Sequence, residues 1–550
     1  MNPEHVGVGY LLAVLRREGY ECNVLELSRN NHEYILDRIE EFNPGFIGFS
    51  LMSVNKKHAA EFGRKIKARF KNTHICAGGP IATYGADKLL NSESGDYIDS
   101  AVIGEGEETI VHLVRALEKR MPLKGIHGVC YRDSEGIHVN PRRGPVHDLD
   151  SLPFPDRDQF ENAGGNLEYI RISTSRGCTS RCTFCSAPNV TNRYSKGMKV
   201  WRGRSSENIV KEIKYLVDKF NFNTFDFVDS TYEDPGHIGK KRIKEIAEGI
   251  LENDLRIYYN CCMQAMNWKN EDKELLKLLA KSGLEKVLVG IESGSDAGLK
   301  HWDKRSDTED NRRVIRLLRE QNIYVAFGFI MFHPHSTLIE LRENTQFLRE
   351  NLGHNLRRFG TRLEIYPGTV IEGVLRQEGL LHSSYEDTLD CLAYDYVNDD
   401  IKTFANAFAS MFGEEYEKDL VINQEPPVFQ FETFDIVIHT YLSRLLRFYG
   451  EDSNALEVLE EFKSYVKEVY EELTEFNFQL MNTGLDLLEK GTFTKEYFVN
   501  QGSYINKLYK EKMDSIQRKQ MITSRKLMKM GFDVSIINSK KHDKKIGVKG

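Results

Sequence analysis

Three cysteines, Cys178, Cys182 and Cys185, stand in the spacing C-x3-C-x2-C. Soft thiolates select iron–sulfur clusters, zinc or copper. Three thiolates leave one iron of a cubane without a protein ligand, a vacancy that a catalytic cluster needs and a four-cysteine electron carrier lacks. Structural zinc is the main alternative, but it takes a fourth cysteine or histidine at close spacing, and none lies nearby in the sequence. The spacing therefore predicts a catalytic iron–sulfur site.

The remaining cysteines and the overall composition indicate the cellular setting. No apolar run reaches the roughly 18 residues that a membrane span needs, and the N-terminus lacks a signal-peptide pattern. The sequence therefore predicts a cytoplasmic protein without membrane contact, in which thiols stay reduced. A net charge of -7 argues against a nucleic-acid partner. We interpret the six scattered cysteines as small buried apolar residues: Cys22, Cys76, Cys130, Cys261, Cys262 and Cys391.

The cysteines lie in a region where strand-like and helix-like patterns alternate. Ile209, Ile213 and Leu216 mark the clearest amphipathic helix. Six such units in about 200 residues predict a partial (β/α)6 TIM barrel, in which chemistry occurs at the carboxyl ends of the strands. Because the cysteines directly follow the first strand, we expect them at the barrel mouth. The predicted strands are 169–174, 224–229, 256–263, 286–291, 324–331 and 360–365.

The first 120 residues alternate in the same way. This pattern favours an open parallel sheet with helices on its faces, a Rossmann-like domain. Ligands of such sheets bind beyond the carboxyl ends of the strands. The predicted strands are 23–27, 46–50, 74–77 and 97–103. The strand ends carry Ser50, Leu51 and Met52, then Gly78 and Gly79, and then residues 104–107.

Composition divides the chain into four segments of an α/β protein. The second is rich in glycine and proline, which indicates a linker. In the last, apolar residues from Leu456 to Leu473 recur at three- and four-residue steps, which predicts helix packing, and a solvated lysine-rich tail follows Lys540. The predicted boundaries are 1–120 for the sheet domain, 121–160 for the linker, 161–385 for the barrel and 386–550 for a helical domain.

The cysteine loop resembles the signature of the radical S-adenosylmethionine (SAM) superfamily, including the aromatic Phe184 before the last cysteine. The resemblance implies that Cys178, Cys182 and Cys185 hold a [4Fe-4S] cluster whose open iron chelates SAM. In that family one electron cleaves SAM to methionine and a 5'-deoxyadenosyl radical, which abstracts hydrogen from the substrate. It also implies a one-electron reductant, such as flavodoxin or ferredoxin, as a partner.

Two further stretches resemble segments that bind SAM in this family. Residues 289–295 resemble the strand and turn beside the adenosine and ribose, which implies a role for Glu292. Residues 227–231 fall where the family contacts the SAM amino group, which implies roles for Asp229 and Ser230. Each motif is weak alone, and their order after the cysteines gives them weight.

The first domain resembles the cobalamin-binding domain found upstream of many radical SAM barrels. The resemblance implies that cobalamin lies against Ser50, Leu51, Met52, Gly78 and Gly79. Two features depart from the family pattern. No Asp-x-His-x-x-Gly motif supplies a lower cobalt ligand, and the strand that normally opens the domain is missing. The matching stretches are 9–16, 47–52, 77–80 and 102–109.

With cobalamin bound, the commonest activity in this family is methylation of an unactivated carbon, here of a natural-product, small-molecule or peptide substrate. Some members instead cyclise or rearrange their substrate without methyl transfer. His333 and His335 stand where many relatives have a Gly-Leu-Pro-Gly-Glu-Thr-like turn. They could act in acid–base chemistry, although surface histidines of a turn are the simpler interpretation.

Two other functions stay open on the sequence. A methylthiotransferase-like tRNA-modifying enzyme shares the cysteine loop, but that class carries a second cysteine triad upstream and a basic β-domain downstream, whereas the upstream cysteines here are isolated. A non-catalytic cobalamin or SAM sensor on a decayed barrel would not need the intact triad.

Overall fold

The chain forms two compact units. The computed structural model describes residues 4–162, 168–187, 200–384, 389–412 and 425–535. Unit 1 comprises residues 1–212, 225–230 and 364–393, and unit 2 comprises residues 213–224, 231–363 and 394–550. The lysine-rich tail predicted after Lys540 lies outside the described residues.

A five-stranded sheet in the order β1-β2-β3-β4-β5 forms the N-terminal part of unit 1. The first three strands are parallel and the last two antiparallel. Ile75 and Cys76 point to opposite faces and are both buried, as expected for a central strand covered on both sides. The strands are Phe46–Ser50 (β1), His74–Gly78 (β2), Ser100–Val102 (β3), Val129–Asp133 (β4) and Gly136–Val139 (β5).

Helices cover this sheet and complete the α/β pattern predicted for the domain. Val14 and Leu15 of the first helix share one apolar core with Ile110 and Leu113 of the last. The helices are Val6–Arg17, His32–Phe42, Lys56–Arg69, Pro80–Asn91 and Glu107–Glu118.

Two predictions for this region were wrong. Residues 23–27 form no strand, and Leu25 is exposed. An apolar run becomes a strand only where a neighbour takes up its backbone groups, and among the described residues the sheet ends at β1. The range 121–160 is not only a linker, because it contains the β4–β5 hairpin, in which Val129 pairs with Val102 of β3.

Four short strands follow along the chain. The first and fourth are parallel, with Ile170 opposite Phe225, and correspond to the first two strands predicted for the barrel. The second and third form a small antiparallel ribbon. The strands are Ile170–Ile172 (β6), Ser175–Arg176 (β7), Arg202–Gly203 (β8) and Thr224–Phe227 (β9). Unit 1 also contains the helices Asp158–Asn162 and Val370–Gln377.

Three parallel strands form the sheet of unit 2. Val287 of the middle strand lies opposite Cys261 on one side and Val325 on the other, and all three are buried. The strands are Tyr258–Met263 (β10), Leu284–Glu292 (β11) and Tyr324–Phe329 (β12). The helices that alternate with β9 to β12 are Ser206–Phe220, Gly236–Glu252, Lys273–Ser282, Asp296–His301, Thr308–Arg319 and Leu338–Asn351.

The sixth predicted barrel strand, 360–365, does not form. Leu356–Gly360 is a 3-10 helix, and Arg362 makes only an isolated bridge, to Phe332. Leu363 and Ile365 are buried, so the apolar pattern marks core residues of an irregular segment. The fold class itself, a mixed α/β protein with a helical C-terminal region, is confirmed.

Long helices make up the C-terminal region. The predicted seam is buried at Leu459, Phe462, Val466 and Leu473, whereas Leu456 is exposed. No helix in the described part of the chain is long and apolar enough to cross a bilayer. The helices are Asp399–Ser410, Pro427–Tyr449, Ser453–Glu489 and Gly502–Lys529.

Candidate functional site

The cysteine loop begins directly after β6 and is held there by Asp229. One carboxylate oxygen of Asp229 accepts from the backbone N–H groups of Thr174 (2.8 Å) and Ser175 (2.7 Å). The other oxygen accepts from the Thr174 hydroxyl. Asp229 is buried just beyond β9, the partner of β6. Both of its oxygens therefore position the loop, whereas Ser230 beside it is exposed.

The three cysteines lie on one tight turn. Cys178 and Cys182 are buried, Cys185 is partly exposed, and no disulfide joins any of the nine cysteines. The backbone N–H of Ser180 donates to the sulfur of Cys178 (3.4 Å). The backbone N–H of Cys185 donates to the carbonyl of Cys182 (3.2 Å). This donor set, three soft sulfur ligands on one loop, fits an iron–sulfur cluster.

The β7–β8 ribbon closes the base of the loop. In this ribbon Ser175 pairs with Gly203 and Arg176 pairs with Arg202. The two ends of the cysteine loop therefore lie side by side. Gly177 has φ +92°, and a Cβ there would lie 1.9 Å from the carbonyl oxygen of Val200. Only glycine fits this closure.

Two arginines of the ribbon bind the glutamates that follow β3. Arg176 donates to Glu107 (2.6 Å), and Arg202 donates to both oxygens of Glu105 (2.7 and 3.0 Å). Burial would raise the pKa of Glu105, but Arg202 and Arg176 hold it below its usual value. The sequence pointed to residues 104–107 only as a strand end, whereas this contact anchors both arms of the cysteine loop.

The loops after β1 and β2 lie side by side. Leu51 donates its backbone N–H to the carbonyl of Gly78 (2.9 Å) and is itself buried. The side chain of Asn55 stabilises the loop after β1. Its Oδ1 accepts from the Met52 N–H (2.8 Å), and its Nδ2 donates to the Ser50 carbonyl (3.0 Å). Ser50 is exposed and Met52 partly exposed. These two, not Leu51, can present side chains to a ligand.

Gly78 and Gly79 serve different purposes. Gly79 has φ +92°, and a Cβ there would meet the carbonyl oxygen of Leu51 at 2.7 Å. A Cβ on Gly78 would meet no atom of the described residues within 4 Å. Gly79 therefore shapes the loop, while the open side of Gly78 fits the close approach of a large flat cofactor such as cobalamin.

Glu292 ends β11 in unit 2 with φ +63°, an unusual backbone conformation for this residue. Its carboxylate lies 3.6 Å from the ammonium group of Lys304. A Cβ on Gly290 would come within 2.7 Å of that carboxylate and one on Gly328 within 3.3 Å, so both glycines leave it room. The short motif singled out Glu292 as a candidate site residue, but it did not indicate that Lys304 and Gly328 would lie beside its carboxylate.

Buried acid–base groups also lie in unit 2. Glu233 accepts from Gln264 N–H (2.8 Å) and Asn267 (2.9 Å), and burial raises its pKa to about 7. His333 is only 1% exposed, so its interpretation as a surface histidine was wrong. Its Nε2 contacts Glu340 at 2.9 Å.

Comparison with known families identifies both halves of this arrangement. The B12 binding domain family matches residues 2–114, and the radical SAM superfamily matches residues 172–348. These matches cover the sheet domain and the region that carries the cysteine loop.

Curated relatives fall in the same group. An uncharacterized methyltransferase of Pyrococcus horikoshii is 26% identical over 66% of this chain and 76% of its own length. The 4'-phospho-dehydrooxetanocin synthase of Priestia megaterium is 26% identical over 57% of this chain. The anaerobic magnesium-protoporphyrin IX monomethyl ester cyclase of a Synechocystis strain is 30% identical over 47%. The chain spans only 44% and 50% of the last two proteins.

Solved structures share the fold. The cobalamin-dependent radical SAM enzyme OxsB, with aqua-cobalamin and SAM bound, superposes with a TM-score of 0.67 at 20% identity, over 93% of this chain and 82% of that one. The radical SAM methyltransferase TsrM of Kitasatospora setae gives 0.55 at 18% identity, over 68% and 72%. With its two family matches, the chain belongs to the cobalamin-dependent radical SAM enzymes, whose cofactors are a [4Fe-4S] cluster, SAM and cobalamin.

Proposed function

We propose that this enzyme reductively cleaves SAM at a [4Fe-4S] cluster held by Cys178, Cys182 and Cys185, and methylates an unactivated carbon of a natural-product, small-molecule or peptide substrate. The observation that carries the proposal is the cysteine loop anchored to the B12 binding domain through Arg176 and Arg202. When bound, the cluster supplies an electron to SAM and cobalamin supplies a methyl carrier.

The residues of this chain prepare the site for those groups. Asp229 fixes the start of the cysteine loop, and the Ser180 N–H donates to the sulfur of Cys178. Phe184 lies partly exposed between the last two cysteines, and we assign it to the wall of the SAM site. We assign Glu292 to the SAM hydroxyl or amino groups, since a carboxylate accepts such donors, and Ser230 to the edge of the same ligand.

For cobalamin, we assign the exposed Ser50, the partly exposed Met52 and the open side of Gly78 to the corrin face. None of these can coordinate cobalt as an imidazole does. If hydroxocobalamin binds here, these three residues would hold its corrin, and the cofactor would supply the methyl carrier. Leu51 and Gly79 keep the two loops in register.

Two alternatives differ in chemistry. Radical cyclisation or rearrangement without methyl transfer is favoured by the likeness to a ring-forming cyclase. A methylthiotransferase-like activity is named for one relative, a putative methylthiotransferase of Methanocaldococcus jannaschii, at 26% identity over 63% of this chain. The isolated upstream cysteines make the second alternative weaker.

Radical SAM enzymes act on small molecules and need an external reductant. As part of the proposal, we name flavodoxin or ferredoxin as that reductant and the cytoplasm as the compartment. The nine cysteines without disulfides support a reducing environment.

Anaerobic reconstitution followed by incubation with SAM and dithionite tests the cleavage step. We expect wild-type protein to release 5'-deoxyadenosine and methionine, and Cys182→Ala to release neither, because a cluster with two protein ligands is poorly held. Cys261→Ala is the matched control, a buried cysteine of β10. Loss of iron from Cys261→Ala as complete as from Cys182→Ala would contradict the ligand assignment.

A further inference from the structure

Three histidines of unit 2 converge at one point. His301 ends the helix that follows β11, and His333 and His335 lie on the segment that follows β12. One ligand atom of each ring lies within 4.8 Å of the other two. The ring of His301 stacks on that of His333 with centroids 5.3 Å apart and lies 5.2 Å from that of His335.

The ring of His333 is held in one orientation. Its backbone N–H donates to the Ser336 hydroxyl (2.9 Å), and Ser336 N–H donates to its carbonyl (3.0 Å). Trp302 packs edge-on against the ring at 4.7 Å. Nε2 is 2.9 Å from Glu340, whereas Nδ1 is buried without a hydrogen-bond partner among the described residues.

Glu340 is itself fixed in place. It lies in the first turn of the helix Leu338–Asn351, and its N–H donates to the capping Thr337 hydroxyl (3.2 Å). A Cβ on Gly298 would lie 2.5 Å from a carboxylate oxygen of Glu340, so glycine at that position leaves it room. When one ring N–H of a histidine donates to a carboxylate, the other ring nitrogen is left with a lone pair for a metal, as around bound zinc.

We propose that His301, His333 and His335 bind a divalent transition metal ion, with zinc as the best fit. Imidazole nitrogen is a preferred zinc ligand. Tetrahedral zinc with bonds of about 2.0–2.1 Å places its nitrogen ligands about 3.4 Å apart. Because His333 is held in place, binding requires His301 and His335 to move toward it from the 4.8 Å separation.

The site differs in kind from the cysteine loop. Its donors are nitrogen rather than sulfur, and His301 is exposed while His333 is buried. Three protein ligands with one open face leave the fourth position for water or another oxygen ligand. Because both segments follow the carboxyl ends of parallel strands, the open face lies where such sheets bind ligands.

Zinc titration of the anaerobically reconstituted full-length protein tests the proposal. After desalting, zinc is counted by mass spectrometry, and X-ray absorption at the zinc edge reports its ligands even with iron present. We expect about one zinc per chain with nitrogen or oxygen ligands at about 2.0–2.1 Å and no sulfur shell at about 2.3 Å.

Variants assign that ion to the histidines. His301→Ala and His335→Ala should lose it, while His237→Ala, an exposed histidine on the helix Gly236–Glu252, should keep it. Glu340→Gln should weaken zinc binding about 10- to 100-fold, as removal of such a supporting carboxylate does. Since His301 is exposed, metal-free His301→Ala should melt at the wild-type temperature. Unchanged zinc content in His301→Ala and His335→Ala, or a sulfur shell in the wild type, would overturn the proposal.

Discussion

Three hydrogen bonds to Asp229 hold the chain just before the cysteines. In Asp229→Asn an amide group replaces one acceptor with a donor, so at least one buried donor at Thr174 or Ser175 loses its partner, at a cost of about 1–3 kcal/mol. We expect iron content after reconstitution to fall well below wild type. Asp226→Asn is the control, because Asp226 lies on β9 itself and makes only a part-exposed ion pair with Arg171 at 3.4 Å. Equal iron in both variants would leave Asp229 without this role.

Glu292 offers a second test at the residue scale. Glu292→Gln keeps the size of the side chain and removes its charge, so we expect SAM to bind about 10- to 100-fold more weakly, as loss of a charge-assisted hydrogen bond implies. Iron content should stay at the wild-type level. Calorimetry against SAM measures the effect, with the exposed Glu309→Gln as control. Unchanged affinity would move Glu292 to a structural role beside Lys304.

Glu233 makes stability depend on pH. Burial raises its pKa to about 7 from the ordinary 4.5, so between those values the folded state holds a proton that the unfolded chain has lost. The free energy of unfolding therefore falls as pH rises through this window, by about 3 kcal/mol in total. Above pH 7 this decrease in the free energy of unfolding is complete.

Glu233→Gln should remove this pH dependence, because an amide does not titrate. Thermal midpoints measured from pH 5 to pH 8 should fall less for the variant than for wild type. The exposed Glu245→Gln, on the helix Gly236–Glu252, should follow wild type. Parallel curves for Glu233→Gln and wild type would show that Glu233 is already ionised at pH 5.

Among individual residues, the sequence predicted those whose chemistry depends on close neighbours in the chain. The cysteines are recognisable because their ligand chemistry lies in a spacing of a few residues. The hydrogen bonds from Arg202 to Glu105 join residues that are 97 positions apart in the sequence. No local sequence pattern predicts such a contact. The motif predicted Asp229 as a contact of the SAM amino group, which stays a prediction, and it did not predict the bonds of Asp229 to Thr174, which depend on the pairing of β6 with β9.

At the scale of elements, the loops after β1 and β2 separate two roles of neighbouring glycines. Gly78→Phe should abolish hydroxocobalamin binding by filling the open space above β2. Gly79→Ala should instead destabilise the loop itself, since its positive φ and the Leu51 carbonyl exclude a Cβ. Gel filtration followed by absorbance measures the bound corrinoid. Thermal denaturation measures the loss of stability expected for Gly79→Ala. Full corrinoid binding by a folded Gly78→Phe protein would contradict this placement of the corrin.

Elements could be predicted where periodicity and pairing agree. The helix Ser206–Phe220 and the strands β1, β2 and β10 to β12 lie where the patterns placed them. Residues 23–27 and 360–365 have equally apolar patterns, but a strand also needs a partner, and pairing is a property of the tertiary fold.

At the scale of the whole molecule, the helical region is tied to the sheet of unit 2 by a buried polar cluster. Asp435 accepts from Tyr324 of β12 (2.8 Å) and from Tyr470 (2.7 Å), and His354 lies 3.2 Å away. Burial would raise the pKa of Asp435, but His354 and the two tyrosines hold it below its usual value. The sequence predicted a helical domain but not this polar anchor, because its members are scattered over more than a hundred residues.

Methylation by this chain would use bound cobalamin as the carrier of the methyl group of SAM. A direct measurement needs no knowledge of the substrate: reconstituted, cobalamin-loaded protein is reduced, mixed with methyl-labelled SAM and passed over a desalting column. We expect the label to co-elute with the protein-bound corrinoid in wild type and to be lost with the corrinoid in Gly78→Phe. Release of 5'-deoxyadenosine with no label on the corrinoid would contradict it, and would favour a radical reaction without methyl transfer.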